Sequence, residues 1–398
     1  MKDLSYSQYF EKCSQCPRKC GVNRLATDSE KIVPAAQFAD ANVHTAASPA
    51  GPQNIGFCEE SSQSPQAYAN STNASGTHHP HTGFCGESSQ VRIALASLHY
   101  GEEPLITVHG GSGTIFFTGC TLRCAFCQNY QISQDGMGRA VSSQEFTKIC
   151  LDLQQAGAEN INLVTGSHFI PALAEFIPAA QKAGCTLPFC WNSSGYESVE
   201  MLELLKPYVK IWLPDLKTLS NALSGQLFAA PDYPESAKKA ISWMIKNFPP
   251  VIKKIPAASD YTDPEGLMVK KGSKKEKMEQ GVIIRHLFFP GHFEETADVL
   301  CWLKENADGR AYISLMNQYT PVPFEEEKSR LENRKKRLSV IENRLVSSQE
   351  DSDLQDLIEA FDFDCLFYQE LSDDTSWLPD FTRPQPFSNK LARPIWHF

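Results

Sequence analysis

Three cysteines, Cys120, Cys124 and Cys127, close the stretch GTIFFTGCTLRCAFCQNY at residues 113–130. Their C-x3-C-x2-C spacing is too tight for ordinary disulfides. A tetrahedral zinc would take a fourth protein ligand, and the following QNYQIS supplies neither Cys nor His. A cubane iron–sulfur cluster normally takes four thiolates, so three leave one iron open to an exogenous ligand. An open metal position marks a catalytic site, and its natural occupant is a small chelating molecule with an amino and a carboxylate group. A second set opens the chain: Cys13, Cys16 and Cys20 in CSQCPRKCGVNR, joined by Cys85 of a later FCG. Four thiolates suit either zinc or a second iron–sulfur cluster, and the sequence leaves that choice open. Cys85 is preferred to Cys58 because it directly precedes the core. Cys58 lies in a short duplication, GFCEESSQ at 56–63 against GFCGESSQ at 83–90.

The run before the trio is one of six short apolar segments that alternate with helix-length stretches. They are TIFFTG (114–119), INLVTG (161–166), LPFCWN (187–192), VKIWLPD (209–215), VIIRHLFF (282–289) and AYISLM (311–316). Between the first two lies SSQEFTKICLDLQQAG (142–157), a helix that starts at a Ser cap and stops at Gly. Strands separated by crossover helices form a parallel sheet, and runs without polar alternation are buried on both faces. Right-handed crossovers curl six such strands into an α/β fold, a partial (β/α)6 barrel of the TIM type, with ligands at the C-terminal strand ends. The trio follows directly on the first of these strands and so occupies that edge.

Polar residues inside the apolar runs are further site candidates. Arg285 and His286 are adjacent in one strand, where burying charge is expensive, and alternation sends at most one of them into the barrel. Asn162, Asn192 and Gln318 are similarly placed. The chain divides into a Cys-rich N-terminal extension (1–90), the barrel (91–320) and a C-terminal extension (321–398). Residues 27–82 lack an apolar period and are rich in Ala, Ser, Asn, Pro, Gly and His, as expected of a disordered insertion. VKKGSKKEKMEQ (269–280) is expected as a solvated loop, and 324–352 as an exposed charged helix or helical hairpin.

Composition narrows the class. With 398 residues, 41% of them hydrophobic, the chain holds one sizeable core with additions. A net charge of −10 argues against a nucleic-acid surface, and no run reaches the roughly 18 apolar residues of a membrane helix. The N-terminus has no apolar signal region, so a soluble cytoplasmic protein is expected. Its thirteen cysteines are then thiols kept for metal or redox use.

The C-x3-C-x2-C loop with Phe126 before its last cysteine resembles the cluster motif of the radical S-adenosylmethionine (radical SAM) superfamily. Together with NINLVTGSH, IWLPDLK, IIRHLFFPG, SLMNQY, the N-terminal CPRKCGVNR and the C-terminal FYQELSDDTSWLPDF, it resembles the uncharacterised homologues of pyruvate formate-lyase activating enzyme. The resemblance covers nearly the whole chain outside the insertions, and the Cys-Gly at Cys85 matches the family form.

What it implies is a [4Fe-4S] cluster on Cys120, Cys124 and Cys127 whose free iron binds the amino and carboxylate groups of S-adenosylmethionine. Reductive cleavage gives a 5'-deoxyadenosyl radical that abstracts hydrogen from an unidentified protein or small molecule, activation of a glycyl-radical protein being one case. The electron would come from a flavodoxin or ferredoxin type of protein. Phe126 is placed against the adenine. Thr165 and Gly166 fall where the family contacts the methionine amino group, although TGSH departs from the usual Gly-Gly-Glu. Asp215 and Lys217 resemble a motif whose lysine reaches the methionine carboxylate, and Arg285 and His286 complete the expected cofactor contacts. The competing reading is a non-catalytic iron–sulfur or zinc protein with a structural or redox-sensing role.

Overall fold

A computed structural model describes residues 6–25, 82–108, 110–255, 275–388 and 391–398. Apart from its last residue, the insertion expected at 27–82 lies outside the described residues. The strands are β1 (Arg92–His99), β2 (Ser112–Phe117), β3 (Arg139–Ala140), β4 (Ile161–Val164), β5 (Phe189–Ser193), β6 (Val209–Pro214), β7 (Val251–Ile255), β8 (Lys275–Leu287), β9 (Tyr312–Met316), β10 (Leu366–Tyr368) and β11 (Ala392–His397). Their order across the sheet is β10-β9-β8-β6-β5-β4-β2-β1-β11. All pairings from β2 to β9 are parallel. These six strands coincide with the six apolar runs and form the partial barrel.

Side-chain alternation divides the two faces. Ile115, Phe117, Ile161, Leu163, Phe189, Trp191, Trp212 and Ile284 pack outward against the surrounding helices. Cys190, Ile211, Leu213 and Ile283 face inward, where Leu105 and Ile106 of the loop between β1 and β2 pack on them. That loop therefore fills the end of the barrel opposite the cysteine trio. The helices form where the sequence caps them. Ser142 and Glu145 make a reciprocal capping box at the head of the helix Ser143–Gln155, and Gly157, at φ +94°, follows its end.

Three segments depart from expectation. The end of the charge run VKKGSKKEKMEQ is not a loop, because Lys275–Gln280 begins β8 and pairs antiparallel with β7. The C-terminal extension is not set apart: β10 adds to β9 at one edge of the sheet, and β11 adds to β1 at the other. The charged stretch does form helices, Lys328–Leu338 and Ser348–Phe361. The first of them is only partly exposed, since Arg334 is buried and donates to the carbonyl of Ala125, inside the cysteine loop, at 2.9 Å.

Candidate functional site

Gly119, at φ +73°, turns the chain from β2 into the cysteine loop. A side chain there would strike Glu87 Cγ at 2.4 Å and the Cys85 carbonyl at 2.8 Å, so only glycine lets the two segments meet. Cys120 and Cys124 are buried and Cys127 is half-buried. Leu122 donates its N–H to Cys120 Sγ at 3.4 Å, and Cys127 Sγ lies 3.3 Å from the Ser133 hydroxyl. Burial pushes the Cys124 thiol well above its ordinary value, while Lys217 opposes the rise and Cys120 and Cys127 add to it. The three sulfurs are thus electrostatic neighbours of one another and of a lysine.

That lysine is positioned by its own strand end. Lys217 Nζ donates to Asp215 Oδ2 at 2.6 Å, and Arg285 Nε donates to Asp215 Oδ1 at 2.9 Å. Arg285 Nη2 also reaches Asn192 Oδ1 at 2.6 Å. Burial raises Asp215, but Arg285 and Lys217 outweigh it and hold the carboxyl below its usual value. For Lys217, burial works against the charged form, and Asp215 with Cys124 more than restores it. The Tyr233 hydroxyl accepts from Lys217 N at 2.9 Å and stands 2.9 Å from the carbonyls of Ser194 and Asp215, which fixes the backbone around the pair.

The other expected residues fall into two groups. Arg285 and Asn192 point into the barrel, as does Asn162, whose amide donates to Glu102 at 2.9 Å. His286 turns the other way: its ring nitrogens lie 2.7 Å from the Leu216 carbonyl and 2.9 Å from the Thr296 hydroxyl, on the helix side. It is a satisfied core histidine that braces the strand end carrying Lys217, and alternation with Arg285 forces this. Phe126 lies edge-on to Phe289 with ring centroids 4.9 Å apart, and Phe228 and Tyr319 complete the cluster. Thr165 takes φ +60° and donates its N–H to the Asn192 carbonyl. A Cβ on Gly166 would meet Leu173, Trp191 and Phe117, so this residue packs into the outer core. Gln318 donates to the Glu370 carbonyl at 3.2 Å.

Several residues with a bearing on the site were not singled out in the sequence. Glu102 and Glu103, in the loop that fills the barrel, face Arg285, and burial raises both carboxyls against its pull. The tandem acid in an otherwise apolar stretch was the available signal. Glu197 is buried, accepts from the Ser167 hydroxyl and is pushed up to about 7, chiefly by burial. Arg334 and Arg337, from the charged helix, cap the cysteine loop: Arg337 Nη2 donates to the carbonyls of Leu227 at 2.8 Å and Arg123 at 3.1 Å. Arg337 favours the Cys124 thiolate and Arg334 that of Cys127. No local pattern marks those arginines apart from their charged neighbours.

The donor set fits an anionic cluster. Burial raises the thiols of Cys124 and Cys127, and Lys217, Arg334 and Arg337 are the cations that oppose that rise. Among the described residues, no three Cys, His, Asp or Glu side chains close on a point that a single ion could occupy. A cluster needs no such point, because its thiolates bind separate irons.

Residues 114–264 match the model of the radical SAM superfamily. That family uses a [4Fe-4S] cluster and S-adenosylmethionine, and its enzymes draw on a reductant. The chain is 29% identical over 232 residues to the uncharacterized protein MJ0674 of Methanocaldococcus jannaschii. The match takes in 56% of this chain and 57% of that protein, so the chain spans little more than half the length of this relative. Among solved structures, SuiB of Streptococcus suis aligns with a TM-score of 0.42 at 11% identity, over 65% of this chain and 48% of that one. A domain of pyruvate-formate lyase-activating enzyme from Bacteroides vulgatus aligns with a TM-score of 0.31 at 10% identity, over 50% of this chain and 91% of that one. Among the described residues no helix is long and apolar enough to cross a membrane.

Proposed function

We propose that this chain is a radical SAM enzyme that cleaves S-adenosylmethionine reductively and abstracts hydrogen from its substrate. The observation that carries the reading is the loop after β2, which gathers Cys120, Cys124 and Cys127 at the sheet edge where Asp215 fixes Lys217 just after β6. A three-thiolate cluster held by Cys120, Cys124 and Cys127 would supply the electron that breaks the carbon–sulfur bond of the cofactor. Everything else falls to the side chains. Lys217 offers its ammonium to the methionine carboxylate, and Asp215 orients it while shared with Arg285. Thr165, bent into its left-handed conformation by the turn after β4, presents backbone on the methionine side. Phe126 and the rings around it form an apolar wall that excludes water and offers a face to adenine.

Below the mouth, Arg285, Asn162, Asn192, Glu102 and Glu103 line a polar lumen. Such a lining suits a polar group of the substrate, either a small molecule or a backbone segment such as the glycine of a glycyl-radical protein. A one-electron carrier of the flavodoxin or ferredoxin type would serve as reductant. The test is anaerobic reconstitution with iron and sulfide, then dithionite and S-adenosylmethionine. Release of 5'-deoxyadenosine and methionine is expected. Reconstituted protein with a full cluster that releases neither would leave only the non-catalytic reading.

A further inference from the structure

The barrel chemistry leaves Cys13, Cys16, Cys20 and Cys85 without a task, although the fold brings them together. Cys13, Cys16 and Cys85 are buried, and Cys20 is half-buried. Burial pushes the Cys16 thiol well above its ordinary value, and Cys20, Cys85 and Cys13 add to the rise. A Cβ on Gly83 would sit 3.5 Å from Cys85 Sγ and 3.8 Å from Cys20 Sγ, so these two sulfurs flank one point. Backbone supports the sulfurs as it does in the trio: Phe84 donates its N–H to Cys20 Sγ at 3.5 Å.

A buried cation stands beside them. Arg24 is 1% exposed, and its guanidinium donates to Cys13 Sγ at 3.6 Å, to Gln15 Oε1, and to the carbonyls of Glu87, Ser88 and His168. Glu87, the nearest carboxylate, is engaged instead by Arg92 and the Thr118 hydroxyl. A guanidinium is costly to bury unless anions offset it, and the groups that act on Arg24 in that sense are Cys85 and Cys13, with Glu87 behind them.

The set is also tied to the loop of the trio. Cys120 donates its N–H to the Cys85 carbonyl at 3.3 Å. Arg18, between Cys16 and Cys20, donates to the Thr121 carbonyl in the trio loop and to the carbonyls of Phe228 and Ala229. We infer that Cys13, Cys16, Cys20 and Cys85 ligate a second iron–sulfur cluster, closed by four thiolates and seated directly behind the barrel cluster. Four protein ligands leave no iron free for S-adenosylmethionine, so this site carries charge and takes no part in binding the cofactor. Its backbone contact with the trio loop suits a centre that can pass an electron, which a cluster does and zinc, having no redox chemistry, does not.

The test is metal and sulfide content of the full chain, isolated and reconstituted anaerobically, for the wild type, Cys13→Ala/Cys16→Ala and Cys120→Ala/Cys124→Ala/Cys127→Ala. The wild type should hold about four irons in the barrel cluster plus about two or four more with equal sulfide. Each variant should lose one share and keep the other. In the reduced wild type the two clusters should broaden each other's electron paramagnetic resonance, and each variant should show a sharp single signal. Should the double variant fail to fold, Cys85→Ser takes its place, and reduced wild type read with added S-adenosylmethionine should show one signal that shifts and one that does not. One zinc or one lone iron in place of the second share would overturn the inference. So would wild-type iron that is unchanged by loss of Cys13 and Cys16.

Discussion

The two thiol sets meet where Cys120 donates to the Cys85 carbonyl, yet they are built differently. The trio comes from one loop, and cations from far along the chain, Lys217, Arg334 and Arg337, oppose the rise that burial imposes on its thiols. The N-terminal set is split between residues 13–20 and 85, and a single buried guanidinium, Arg24, lies against it. A three-thiolate site must leave a face open, so its surroundings carry the charge and shape of the missing ligand. A four-thiolate site completes itself and needs only packing. The barrel mouth should therefore be sensitive to changes remote in sequence, and the N-terminal set to changes in its own segments.

The strongest attack on that contrast is Cys120→Ala/Cys124→Ala/Cys127→Ala. It should abolish 5'-deoxyadenosine release while leaving any metal on the N-terminal set in place. Chromatography of the nucleoside products and metal analysis measure the two halves.

Arg334→Met tests the remote cap. Arg334 Nη2 and Nε pair with Glu326, whose side chain is 1% exposed, so the substitution leaves that buried carboxylate to Arg330, 3.1 Å away. Loss of roughly 1–3 kcal/mol of stability is expected. Thermal unfolding should show it, with iron released from the trio before the N-terminal set.

Lys217→Met keeps the aliphatic stem and removes the charge beside Cys124. The cluster should still assemble, and affinity for S-adenosylmethionine should fall by about one to two decades, corresponding to roughly 1.5–3 kcal/mol for a charge-assisted hydrogen bond. Titration followed by electron paramagnetic resonance reads it. Unchanged affinity would remove Lys217 from the site.

His168 joins the two regions: its carbonyl accepts from Arg24, and its ring Nε2 lies 2.8 Å from the Thr118 carbonyl. Burial, aided by Arg24, lowers its value from 6.5 to about 3. The unfolded chain binds the extra proton between those limits. The stability of the wild type relative to His168→Gln should therefore rise with pH from about 3 to 6.5 and be level above. Denaturant unfolding of metal-free protein at several pH values checks the slope, and equal slopes in the two proteins would refute it.

The six barrel strands could be read from the sequence because burial on both faces leaves uninterrupted apolar runs such as INLV and VKIWLP. The edge strands β10 and β11 could not, since LFY and ARPIWH are short and half-buried and owe their pairing to neighbours distant in sequence. Alternation revealed that Arg285 and His286 part company, but which one enters the lumen depends on Asp215 and Thr296, which only the fold supplies. The trio stood out because its three cysteines sit on one loop. The arginine cap was not, because Arg334 differs from the charged residues beside it only in what lies across from it, the Ala125 carbonyl.

Phe84 donates to Cys20 Sγ at 3.5 Å and Ser89 to the Arg24 carbonyl at 2.8 Å. Two stretches that the ribosome makes far apart are thus stitched to each other before either reaches the barrel, and they dock on it as one piece.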